Sequence, residues 1–342
     1  MKKHPKGKLF LNFLLISVII VVILFIMKNS LGDIFHQIGR TKPSVLTGVT
    51  LLGLLFLCLE GYNYRRIVAP FNLKLTFSKG FFAFCYPAFY RVITFGAGTL
   101  VAEVMYFRQR GLTTSQSMGV TSIHMMLYKL GVISMSLTGL LLSFPILLAK
   151  MSYMIPAVII GLAVTSLVVF VLFLASANQR FHQWLMTLAN RFFKTEKAQK
   201  RIASFNEQIE TLRETVREIM TDRTNVIKLV GINVLKLVPW YVMPYMIFQD
   251  EHQLSLVLTM SLVAMASVVG GIIPSPAGIG SFDFIFVLLF SPLVGRVDAA
   301  SGLLLYRFGT YVLPVLLGML YVARNKEQEL KEEILELKET KT

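Results

Sequence analysis

Apolar residues along this chain run in long blocks, each closed by a short basic or polar stretch. The blocks 9–27, 45–64, 154–176, 226–248 and 302–321 are each near the length at which an α-helix crosses ~30 Å of hydrocarbon, and 117–144 runs longer but has no proline or charged cluster breaking it. Each is predicted to be a full transmembrane helix. Two further apolar stretches, 80–107 and 254–290, are too long for one simple crossing. Pro87, Arg91 and Gly96-Ala97-Gly98 interrupt the first; Gly270-Gly271 and Pro274-Ser275-Pro276-Ala277-Gly278-Ile279-Gly280 interrupt the second.

Charge decides how the chain threads. Lys2, Lys3, Lys6 and Lys8 precede the first block, which is longer than the apolar core of a signal peptide and lacks a small-x-small cleavage site, so it reads as an uncleaved span with a cytoplasmic N-terminus. Lys74 and Lys79 precede the stretch 80–107, and Arg108 and Arg110 follow it. Both flanks belong in the cytoplasm, so the stretch crosses an even number of times and is predicted to be a helical hairpin dipping in from that side. The acidic Gln249-Asp250-Glu251-His252 precedes the second broken stretch. The last span must end inside, because Arg324, Lys326 and a charged tail follow it. The second stretch is therefore predicted to be a hairpin entering from the outer face.

Within the polar segment 177–224, Ile202, Phe205, Ile209, Leu212, Val216 and Ile219 alternate three and four apart, a helical stripe expected to pack on the cytoplasmic ends of the bundle. The order span, span, hairpin, span then occurs twice. Each half has an odd number of full crossings, so the second is inverted relative to the first. Inverted repeats broken at matching positions are the sequence sign of a transporter whose site lies between the halves. The predicted fold is an all-α polytopic membrane protein with about six full transmembrane helices plus two broken, re-entrant hairpins in an inverted repeat. Its parts are a first repeat over 1–144, a second over 145–322 with the insert 177–224, and a charged cytoplasmic tail over 323–342.

Composition fits a cell-membrane protein: 55% of residues are hydrophobic and 15% charged, against about 25% charged in soluble domains. The net charge of +15 would suggest nucleic acid in a soluble chain. In a membrane protein it orients helices and attracts anionic lipid headgroups, so no nucleic-acid partner is expected. Cys58 and Cys85 lie inside apolar segments and offer neither a disulfide framework nor a CxxC site. His4, His36, His124, His182 and His252 are scattered without metal-ligand spacing, and His124 reads as a helix-packing residue. Neither Gly96-x-Gly98 nor Gly278-x-Gly280 has the strand–turn–helix setting of a nucleotide loop. No catalytic residue, metal or cofactor is predicted.

The candidate binding residues sit in the breaks. Pro276, Gly278 and Gly280 lie where backbone groups must meet protein, water or ligand at membrane depth. A half-helix starting near Ile279 or Ser281 would present its N-terminal amides to an anion such as a lipid phosphate. Asp283 could cap that helix or bind a cation. Gly96, Gly98 and Glu103 repeat the same grammar in the first half. Arg91, Glu103, Lys129, Asp283 and Arg307 are membrane-embedded charges that need partners or water. Arg91 and Arg307 could hold a lipid phosphate, or pair internally with Glu103 and Asp283. Lys228 is close enough to its helix end to snorkel, whereas the deeper Lys236 is left open.

The string Pro274-x-Pro276-Ala277-Gly278-x-Gly280-x-x-Asp283, followed by Arg307-x-x-x-Tyr311-x-x-Pro314, resembles the lysylphosphatidylglycerol synthase transmembrane region, the flippase-like domain of the multiple peptide resistance factor. Residues 96–110 fit that family's earlier glycine motif more loosely, and Ala277 stands where the family often has a second glycine. The resemblance implies movement of lysyl-phosphatidylglycerol or a similar aminoacyl lipid between leaflets, contributing to resistance to cationic antimicrobial peptides. Two-part members carry a soluble tRNA-dependent transferase domain at the C-terminus. This chain stops soon after its last span, so it is expected not to transfer lysine by itself, although family naming would make it a phosphatidylglycerol lysyltransferase. The alternatives are a membrane subunit acting with a separate catalytic chain, and a glycolipid transporter or scaffold for lipid glycosyltransferases. The partners implied are a phospholipid or glycolipid substrate, a soluble lipid-modifying transferase and a second copy of the chain.

Overall fold

The computed structural model describes residues 36–325, except Phe95, 274–279 and scattered positions within 178–222. The predicted first span, the segment holding Pro276 and Gly278, most of the 202–219 stripe and the tail from 326 lie outside the described residues. Every regular element among the described residues is helical. The α-helices that frame the bundle are α1 (Pro43–Val68), α2 (Phe77–Ile93), α3 (Thr99–Arg108), α4 (Thr114–Lys150), α5 (Ile155–Ala177), α6 (Gln179–Phe192), α7 (Arg223–Leu235), α8 (Leu237–Phe248), α9 (Leu256–Gly270), α10 (Ser281–Val294) and α11 (Arg296–Arg307), with short 3-10 turns at Ala69–Phe71 and Ser152–Met154. A π-helical turn, Phe308–Val312, continues α11 to residue 325.

Five stretches among the described residues are long and apolar enough to cross a bilayer: Pro43–Phe71, Thr114–Lys150, Ser152–Leu174, Thr224–Phe248 and Arg296–Asn325. They correspond to the predicted spans after the first. The last begins earlier than predicted, because Gly295, at φ 84°, ends α10 and starts α11 at once. Arg307 therefore lies well inside this span rather than a few residues from its start.

Both broken stretches fold as hairpins. At the open end of the first, the Tyr106 hydroxyl donates to the Lys79 carbonyl at 2.5 Å, so α3 returns to the end from which α2 departed. At the closed end Gly96 takes φ 91°, a conformation that an L side chain would strain. The arms of 17 and 10 residues reach roughly 25 Å and 15 Å, less than the ~30 Å hydrocarbon thickness. In the second hairpin, α9 and α10 pack together with Gly270 against Phe282 beside the closed end.

Helix pairing gives the halves an exchanged, antiparallel arrangement. Along α1 and the α7–α8 span, Lys42 meets Asp250 at one end, and Glu60 and Asn63 meet Lys236 and Asn233 toward the other. The first arm of each hairpin packs on the last span of the opposite half. On α2, Phe82 stacks with Tyr321, and Ala88, Phe89 and Val92 cluster with Tyr311, Val312 and Val315. On α9, Ser261 packs at Gly139 of α4, and Gly271, just past its end, lies beside Lys129. The second arms, α3 and α10, pack on the last spans of their own halves. Backbones approach closely in this frame where Gly318 of the last span meets the Cys85 carbonyl of α2, and between α1 and α2, where a Cβ on Gly80 would sit 2.5 Å from the Gly61 carbonyl oxygen.

Arg65, Arg66, Lys79, Arg108 and Arg110 collect at the end of the bundle where the first hairpin opens. Asp250, Glu251 and Asp298 lie at the other end, with Lys42 paired to Asp250. The hydrogen bond and charge of Asp250 raise the pKa of the exposed Lys42 ammonium.

Candidate functional site

Two polar assemblies lie inside the apolar bundle. The first forms where the second hairpin meets the last span. Gly280, at φ 107°, turns the chain into α10, and its amide donates to Asp283 Oδ2 at 2.7 Å. The other oxygen, Oδ1, accepts from Arg307 Nε at 2.5 Å. The cap and the Arg307 pairing that the sequence allowed are therefore made by the two oxygens of one carboxylate. Both side chains are about five-sixths buried, at 16% and 19% exposure, which keeps the pair from being diluted by solvent. The Arg307 guanidinium also lies 5.2 Å from the Phe282 ring centre and 5.8 Å from that of Tyr311, within cation–π range. Arg307 is the last residue before the π-helical turn, a backbone irregularity that leaves carbonyls off the α-helical ladder.

The closed end of the first hairpin reaches the same level. Thr94 closes α2, its hydroxyl accepting from the Gly98 amide at 2.7 Å. Arg91, one turn earlier, is partly buried, and its guanidinium makes no hydrogen bond or ion pair with any described residue. It lies within electrostatic reach of the Tyr64, Tyr128 and Tyr311 phenols, and Tyr311 is within reach of Arg307 as well. Lys129 of α4 is likewise partly buried and unpaired among the described residues, its ammonium beside Gly271 at the closed end of the second hairpin. Arg91 and Arg307, the latter held by Asp283, thus share Tyr311 as a neighbour at the hairpin ends, and Lys129 lies beside the closed end of the second hairpin.

The pairing of Arg91 with Glu103 is not found. Glu103, 5% exposed, instead joins the second assembly, which the sequence reading did not foresee. There Glu60 of α1 accepts from Lys236 Nζ at 2.6 Å and Asn63 Nδ2 at 3.1 Å on one oxygen, and faces His124 Nε2 at 2.7 Å on the other. His124 Nδ1 lies 3.2 Å from Glu103 Oε1 and 3.0 Å from the Tyr64 hydroxyl, which donates to that same oxygen at 2.9 Å. Asn63 and Asn233 exchange amide hydrogen bonds across the halves. His124 is therefore a hydrogen-bonding hub, not a packing residue. A clue was present in the sequence: Glu60 is the one carboxylate within 45–64, and an acid inside an apolar span needs a partner.

Gly96, Gly98, Gly280, Asp283, Arg91 and Arg307 gather at the hairpin ends; Glu103 does not, and Pro276 and Gly278 fall outside the described residues. Away from both assemblies, Glu251, His252 and Asp298 are the group among the described residues whose ligand atoms converge as a metal site would require, and they lie toward the surface.

Residues 10–318 match the family described as Lysylphosphatidylglycerol synthase TM region, which covers most of the chain. The chain belongs to that family and is a membrane domain of the lysylphosphatidylglycerol synthase or flippase type. No curated protein matches it.

Proposed function

We propose, from that membership, that this protein moves a phosphate-bearing aminoacyl lipid, of which lysyl-phosphatidylglycerol is the type, between the leaflets of the cell membrane. The observation that carries this reading is the pair of membrane-embedded cations, Arg91 and Lys129, that meet no described carboxylate. Such charges are costly in hydrocarbon unless something anionic completes them, and a lipid phosphate is the anion at hand. Arg307, held by Asp283, shares Tyr311 as a neighbour with Arg91 and adds a second guanidinium near the same phenol. The lipid's amines suit Asp283 and the faces of Phe282 and Tyr311. Delivery of a cationic lipid to the outer leaflet lowers the negative surface potential that draws cationic peptides, which is how such a protein contributes to resistance.

The test is mass spectrometry of lipids retained by the purified protein. Wild type is expected to carry an aminoacyl-phosphatidylglycerol in excess over the host membrane, and Arg91→Gln to lose that excess. A glycolipid retained instead would support the glycolipid alternative, and retention that follows bulk composition in both proteins would refute selective binding.

A further inference from the structure

The Glu60–His124–Glu103 assembly takes no part in holding the lipid as proposed above, yet it ties together α1, α3, α4 and the α7–α8 span, elements of both halves. We infer that it is a proton-binding site that couples lipid movement to the proton gradient; the site itself stands on its own geometry, and the coupling rests on the lipid-transport reading.

Glu60 is the fixed anion, because Lys236, Asn63 and His124 all meet it. With Nε2 donating to Glu60, the Nδ1 side decides the rest. Glu60 and Lys236 cancel. What remains is one carboxylate, Glu103, one imidazole and one hydroxyl between them, and this set is neutral only when it holds a single extra proton.

Two arrangements store that proton, and both fit the contacts. In one, an imidazolium donates from Nδ1 to Glu103 Oε1, which also accepts from Tyr64. In the other, a protonated Glu103 donates to the Tyr64 oxygen while the Tyr64 hydroxyl donates to a neutral Nδ1. They interconvert by shifting hydrogens along the same three groups, with no net gain or loss. Loading takes one proton from water on one side, and release returns one to water on the other.

Release leaves a net negative charge at Glu103. Tyr64, His124 and Lys236 face it, and around the rest of the assembly stand Glu60 on α1, Tyr128 on α4 and Arg91 on α2, which lies within electrostatic reach of Tyr64 and Tyr128. Arg91 is the one cation of this set without a described partner. Deprotonation therefore draws Arg91 toward Glu103 and away from a lipid phosphate, whereas protonation frees it for phosphate. Proton and phosphate thus reinforce each other's binding, and by linkage each must raise the affinity for the other.

Two measurements decide the matter. In nanodiscs of phosphatidylglycerol, the imidazole 15N resonances of the full chain, with His124 assigned by its loss in His124→Gln, should titrate between about pH 5 and pH 9. Tyr64→Phe, which keeps the ring and removes the bridging hydroxyl, should displace that midpoint by about one pH unit. An imidazole locked in one protonation state across the range would overturn the site. In vesicles containing lysyl-phosphatidylglycerol, an impermeant amine reagent reads exposure of that lipid with and without an imposed pH gradient. The gradient should accelerate exposure in wild type and have no effect in His124→Gln or Glu103→Gln. Equal rates with and without it would overturn the coupling. Absence of any lipid movement beside a titrating His124 would remove the transport reading and leave the proton site standing.

Discussion

Asp283 shows how one carboxylate serves backbone and side chain together, and conservative changes separate the two duties. Asparagine caps a helix about as well as aspartate, and a cap lost to alanine costs only ~0.5–2 kcal/mol. Asp283→Asn is therefore expected to keep the Gly280 contact and protein abundance but lose outer-leaflet delivery of the lipid in reconstituted vesicles, because Arg307 is left uncompensated. Arg307→Lys should lose part of that activity, since a lysine keeps the charge without the planar fork. The Asp283–Arg307 pair was readable from the sequence as two opposite charges, each stranded in an apolar setting. The Glu60 network was harder to see. Its members, Glu60, Tyr64, Glu103, His124 and Lys236, are scattered over much of the chain, each with an innocuous neighbourhood, and only tertiary packing brings them together. Glu60→Gln should destabilise the purified protein by about 3–5 kcal/mol in a thermal-unfolding assay, because Lys236 is then buried without its counter-charge. Adding Lys236→Met should recover most of that loss, since with both partners neutral no charge is left stranded. A double variant as unstable as the single would place the cost in something other than the ion pair.

At the scale of elements, glycines decide where helices can touch. Gly61 and Gly80 let α1 and α2 meet backbone to backbone, and a Cβ on Gly61 would fall 2.7 Å from the Phe81 amide nitrogen. Gly61→Ala is expected to cost about 1–3 kcal/mol through overpacking. Gly231→Ala, with nothing within 4 Å of the new Cβ, should instead be neutral or gain up to about 1 kcal/mol from helix propensity. Thermal unfolding of both variants in one detergent checks the contrast, and equal effects would refute the close approach. The hairpins were legible because two local signals agreed: apolar stretches longer than a crossing, with breakers inside and like charge at both flanks of the first. Helix ends were less legible. Pro145 lies within α4 without ending it, and α11 starts at a positive-φ glycine that looks like any other in the sequence.

For the whole molecule, the antiparallel pairing of α1 with the α7–α8 span and the crossed packing of each hairpin on the other half make the two hairpins open at opposite ends. In a background lacking Cys58 and Cys85, Lys79→Cys and Arg108→Cys should both resist an impermeant thiol reagent in intact cells, while Gln253→Cys reacts. Labelling at 108 but not at 79 would break the first hairpin and the inversion with it. The periodic order of spans foretold this symmetry, but it could not foretell which helices exchange partners, because many apolar faces are chemically interchangeable until packing selects one. The central claim is that the interior cations carry a lipid phosphate across, and its most direct measurement is the appearance of lysyl-phosphatidylglycerol in the outer leaflet of vesicles loaded with it in the inner leaflet. Wild-type protein should expose the lipid well above the protein-free rate, with Arg91→Gln and Lys129→Gln near that background. Exposure by wild type no faster than in protein-free vesicles, or unchanged in both variants, would contradict the account.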